Sequence, residues 1–70
     1  MMYVILTRGG GVAAAFHTES DALATIRQAC DAHGRAYAAR YQLVAEDGQG
    51  GSTPLARGED LVERALAAAT

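Results

Sequence analysis

The sequence has no lysine and no asparagine, and it carries a single cysteine and a single proline. With Cys30 alone, no intramolecular disulfide can form. The same scarcity argues against a metal centre. A structural zinc site takes four ligands and a catalytic one takes three plus water. Beside Cys30 there are only His17 and His33, and the acids fall mostly on solvent faces of the elements read below. No metal or cofactor is therefore expected, and no catalytic residue is assigned. The absence of lysine excludes less. All six basic residues are arginine and alanine is abundant, a bias that suggests a GC-rich coding genome rather than a physical requirement. No apolar run reaches the ~18 residues of a membrane span and no secretory apolar region is present, which predicts a soluble, cytoplasmic chain without a membrane partner. A net charge of −2 gives no electrostatic footprint for nucleic acid.

What is present reads as a single small domain over residues 1–70. Half of the residues are apolar and 20% are charged, which favours a folded chain over a disordered one. A chain this short buries only ~60% of the surface its unfolded form exposes. Small scaffolds without a disulfide or a metal are commonly stabilised by a partner subunit.

Tyr3 to Thr7 and Val12 to His17 form two apolar strand candidates around Gly9, Gly10 and Gly11. A glycine run between two strands is turn chemistry. It lacks the spacing of a dinucleotide loop, opens no helix, and no Gly-Lys-Ser/Thr follows. Loop length then decides which side chains share a face, because a one-residue slip flips the strand. A two-residue loop pairs Ile5 with Ala14 and Tyr3 with Phe16. A three-residue loop pairs Leu6 with Ala14 and Val4 with Phe16. The second is preferred, since it collects Val4, Leu6, Val12, Ala14 and Phe16 into one core set.

Thr18 reads as a helix N-cap, with Asp21 three residues on. Ala22, Leu23, Ile26, Ala29, Cys30 and His33 make one apolar stripe of a helix that Gly34 ends. Residues 35–39 could be helix, loop or strand. From about Arg40 to Glu46 alternation predicts a strand, with Tyr41, Leu43 and Ala45 on one face. Glu46 to Ser52 is a turn, and Thr53 to Arg57 a return strand placed at an edge by Pro54. A second helix follows from Glu59, its stripe being Leu61, Val62, Ala65, Leu66 and Ala69, with fraying at the last alanines. The expected fold is thus α+β: a two-layer antiparallel sheet with two helices in the order ββαββα. Phe16-x-Thr18 before an alanine-rich helix, then a strand and Asp47-Gly48, resembles small bacterial ββαββ families. That likeness implies a layout and no chemistry.

The candidate chemistries are sparse. Cys30 and His33 stand three apart on a helix face and could make a thiol–imidazole pair, with His17 nearby. The plainer reading is that Cys30 is a small core hydrophobe. Glu46-Asp47 and Glu59-Asp60 are accounted for by a turn and a helix start. Arg8 and Arg40, with the tyrosines, could serve a nucleic-acid-associated regulator, although the arginines are scattered along the chain. One feature is left over. In the preferred register the second face of the first strand is apolar, presenting Tyr3 and Ile5 with Ala13, Ala15 and Val44 nearby. Such a face marks an interaction site. Either the second helix crosses to it, or two chains pack face to face. The expected function is a small non-enzymatic interaction or accessory module, acting as a homodimer or as the subunit of a larger partner. Its alternatives are the nucleic-acid regulator and a small-molecule binder or minimal enzyme using Cys30 and His33.

Overall fold

A computed structural model describes residues 1–68. The elements are β1 (Met2–Leu6), β2 (Val12–Phe16), α1 (Glu19–His33), α2 (Arg35–Ala38), β3 (Gln42–Glu46), β4 (Ser52–Arg57) and α3 (Gly58–Ala68). The strands form one antiparallel sheet in the order β2-β1-β3-β4. The α+β layout stands, but the two-helix ββαββα order does not: three helices cover the sheet, in the order ββααββα.

The added helix follows from how α1 stops. Thr18 caps its start in extended conformation, its hydroxyl accepting from the Asp21 N–H at 3.1 Å. At the other end the Gly34 N–H donates to the Cys30 carbonyl at 2.8 Å. The chain then winds one further turn, with Ala38 N–H donating to Gly34 and Ala39 N–H to Arg35. That turn carries the fully buried Ala38 into the core. It also delays the next strand, which starts at Gln42 rather than Arg40.

The hairpin register is the second correction. Across the body of the strands Tyr3 pairs with Phe16, Val4 with Ala15 and Ile5 with Ala14, while Leu6 pairs with Val12. This is the pairing first attached to a two-residue loop, yet the loop itself holds three residues, Arg8 to Gly10. Thr7 N–H donates to the Gly11 carbonyl at 2.7 Å, closing it. Gly10, at φ +88°, occupies the left-handed position that such a loop requires. A bulge at Ala13 absorbs the residue left over.

That slip decides the core. Ile5 and Leu43 sit under the helices with Ala22, Leu23, Ile26, Ala38, Leu61, Val62 and Ala65. Tyr3, Phe16, Cys30 and Leu66 pack against this cluster while partly exposed. The set built on Val4, Leu6 and Val12 does not form on this side. Of the α3 stripe, Leu61, Val62 and Ala65 are buried as expected, and Ala69 lies outside the described residues. β4 runs into α3 without a loop. Gly58 makes the junction at φ +60°, its N–H donating to the Tyr41 carbonyl at 3.3 Å.

Ion pairs tie the helices together at the surface. Arg64 reaches Glu19 at 2.7 Å, joining α3 to the start of α1. Arg35 reaches Glu59 at 3.1 Å and Glu63 at 3.3 Å, joining α2 to α3. The hydrogen bond to Glu59 holds the Arg35 guanidinium still more firmly protonated than usual. These pairs are solvated and position the helices more than they stabilise them.

Candidate interaction surface

Cross-strand partners share a face of the sheet. With Ile5 and Leu43 beneath the helices, their neighbours point the other way. Three rows cross that open face. The central one runs Ala15, Val4, Val44, Pro54. One flanking row holds Met2, Glu46 and Ser52. The other holds Val12, Leu6, Gln42 and Arg57. Neither α1, α2 nor α3 covers this side, because the buried residues of all three belong to the opposite core. The possibility that the last helix crosses over is thereby removed.

Val4 and Val44 are only 4% and 5% exposed, screened by the rows around them. The rows themselves carry the open apolar surface. Val12 is 67% exposed, Ala15 and Pro54 are exposed, and Met2 and Leu6 are half-buried. An antiparallel sheet with one solvated face normally alternates to polar there. Here polar side chains stand only in the flanking rows, with Glu46 in one and Arg57 in the other.

The five residues read from sequence as an interface do not lie together. Val44 and Ala15 are on the open face. Ile5 is a core residue, and Tyr3 packs against that core. Ala13 is the bulge residue and turns toward the helix side, where it lines a groove with Ala14, Ile26 and Ala29. The open face holds Val4, Leu6 and Val12 instead, which the preferred register had assigned to the core.

That groove, about 400 Å³ between α1 and the edge strand β2, has a polar end formed by His33, Tyr37 and Tyr41. The His33 and Tyr37 rings stand 4.5 Å apart, and those of Tyr37 and Tyr41 5.8 Å. Tyr41 donates its hydroxyl to that of Tyr37 at 3.2 Å. This bond, with partial burial, holds the Tyr41 pKa above the ordinary tyrosine value. Cys30 and His17 do not line the groove. The structure therefore does not assemble the thiol–imidazole constellation around it. Among the described residues no group of three His, Cys, Asp or Glu side chains could hold a metal ion.

A second cleft of about 400 Å³ opens where the open face meets the ends of β1, β3 and β4. Arg8, Arg40 and Arg57 line it, with Asp60 as its acid. Arginines scattered in sequence are thus gathered in space. Arg8 and Arg57 have no ion pair among the described residues, and Arg40 lies over the Tyr37 ring at 5.7 Å. The opposite end of the face carries Glu46 and, in the β3–β4 turn, Asp47. The Asp47 carboxylate accepts from the N–H groups of Gln49 at 2.8 Å and Gly51 at 3.1 Å, which holds its pKa below the usual carboxylate range.

The architecture and this face define a small α+β domain with one bare sheet surface. No protein-family model matches the sequence, and no curated protein or solved structure matches it significantly. No helix among the described residues is long and apolar enough to cross a membrane.

Proposed function

We propose that this chain is a small non-enzymatic interaction module that works as a homodimer through the open face of its sheet. The observation that carries the reading is the row Ala15–Val4–Val44–Pro54, which no helix covers and which half-buried and exposed apolar side chains surround. The intrachain core supports it. Its largest fully buried side chains are Ile26, Leu43, Leu61 and Val62, with no aromatic among them. Such a core leaves a 70-residue chain marginal, and burying a second face offsets that. A second copy suits the face because an isologous contact asks the surface only to complement itself.

The test is light scattering after size exclusion, on the wild-type chain and on Ala15→Arg. Ala15 is exposed in the single chain, so the variant should keep its helical circular dichroism as a monomer, with a melting temperature lowered by the lost dimer burial. The expected result is a wild-type dimer and an Ala15→Arg monomer. A wild-type chain that stays monomeric at high concentration would overturn the reading.

A further inference from the structure

The open face is charged at its two ends, with opposite signs. The row Met2–Glu46–Ser52 carries an acid, and the turn beyond it adds Asp47. The row Val12–Leu6–Gln42–Arg57 carries a base, and the cleft beyond it adds Arg8 and Arg40. Neither Glu46 nor Arg57 makes an ion pair among the described residues. Resting on the dimer reading above, we infer the arrangement of the two copies. Their sheets pack face to face about a two-fold axis that runs across the strands, along the row Ala15–Val4–Val44–Pro54. Glu46 of each copy then meets Arg57 of the other at the mouth of the arginine-lined cleft.

For sheets packed with their strands aligned, the geometry selects this axis over one along the strands. On β1 and β3 the flanking rows lie two residues from the central row, roughly 7 Å along the strands; on β4 a bulge sets Arg57 three residues from Pro54, still paired with Gln42. A two-fold axis across the strands places each acidic row over the partner's basic row. Glu46 comes to lie over the partner's Gln42, one strand spacing of ~4.8 Å from the partner's Arg57. Sheets packed about 10 Å apart leave a gap that the two long side chains span together. The symmetry makes the contact twice. A two-fold axis along the strands does the reverse. It lays Glu46 over the partner's Met2 and beside the partner's Glu46, and Arg57 over the partner's Val12. Charges would be desolvated against apolar groups with a like charge adjacent, which is costly.

The inference is tested by charge reversal and mixing, read by sedimentation velocity at fixed concentration and low salt. Glu46→Arg alone sets two arginine–arginine contacts in its homodimer, and Arg57→Glu alone sets two glutamate–glutamate contacts. Each should weaken the dimer by about 100-fold, as like charges replace opposite ones at both contacts. An equimolar mixture of the two variants should regain the dimer. The introduced arginine of one chain then faces the introduced glutamate of the other, and the native pair forms at the second contact. The double variant Glu46→Arg/Arg57→Glu should also regain it. Both positions are exposed, so each variant should keep the helical circular dichroism of the wild type when monomeric. Single variants that dimerise as the wild type does, or a mixture that stays monomeric, would overturn this arrangement while leaving the dimer itself standing. A monomeric wild type would overturn the dimer reading first.

Discussion

Val4 of β1 and Val44 of β3 are direct cross-strand partners at the centre of the sheet, both almost fully buried although no helix lies over them. One residue further along each strand, Ile5 and Leu43 are partners too, and these are buried beneath the helices. β1 is therefore apolar on both faces, while β3 sets Val44 between Gln42 and Glu46 on the open one. One face of the sheet has its cover within the chain, and the other is bare.

Leu43 anchors the covered side. It is fully buried among residues of all three helices. Leu43→Ala should destabilise the fold by about 2–5 kcal/mol, the range for truncating a buried leucine. Urea unfolding followed by circular dichroism should show a lower midpoint with an unchanged slope.

Asp47 should make stability fall in acid. Its pKa is lowered in the folded state by the two backbone N–H groups from which it accepts. Its contribution is fully present above the unfolded carboxylate value of about 3.9, and is lost as pH falls through the lower folded value. Asp47→Asn keeps an acceptor and removes the titration, so its melting temperature should decline less between neutral and strongly acidic buffer. Gly51→Ala should disturb the same turn, because an added Cβ would stand 2.6 Å from the Asp47 carboxylate.

Tyr37→Phe should shift the titration of Tyr41. The hydroxyl of Tyr37 is the acceptor that holds the Tyr41 proton, and this bond is the main cause of the raised pKa. Without it Tyr41 should ionise at lower pH, moving back toward the ordinary tyrosine value. Tyrosinate absorbance across the alkaline range checks this, and an unmoved curve would show that the hydrogen bond is not what holds the proton.

The gathering of Arg8, Arg40 and Arg57 raises the question of nucleic acid directly. If their cleft receives the partner's Glu46, duplex and single-stranded probes should not be retarded even at low salt. Retardation that weakens steeply with added salt would instead mark phosphate binding by these arginines.

Much of the fold was legible in the sequence, for identifiable reasons. The Thr18 cap, the Ala22–Leu23–Ile26 stripe and the Gly34 stop agree with one another, and α1 forms as they indicate. The alternation Tyr41, Leu43, Ala45 placed the core face of β3, and Pro54 placed β4 at the edge. The hairpin register was not legible. Val4, Ile5 and Leu6 are all apolar, so no polar side chain pinned β1 to one face. Three successive glycines allowed several loop lengths, and the bulge at Ala13 has no signature in an alanine run. Residues 35–39 could be read as helix, loop or strand, because one turn has no period to read and the cause of helix α2, the burial of Ala38, is tertiary. For the site, this meant that an apolar second face was foreseen while Tyr3 and Ile5 were placed on the wrong side of the sheet.

The most direct measurement is an isotope-filtered nuclear Overhauser experiment on a mixture of labelled and unlabelled chains, at a concentration high enough to populate any dimer. The account predicts intermolecular contacts from the methyl groups of Val4, Leu6, Val12 and Val44, and none from Ile26 or Leu61. Contacts confined to the helix layer, such as Ala29 and Ala32 along the groove, or no intermolecular contacts at all, would contradict it.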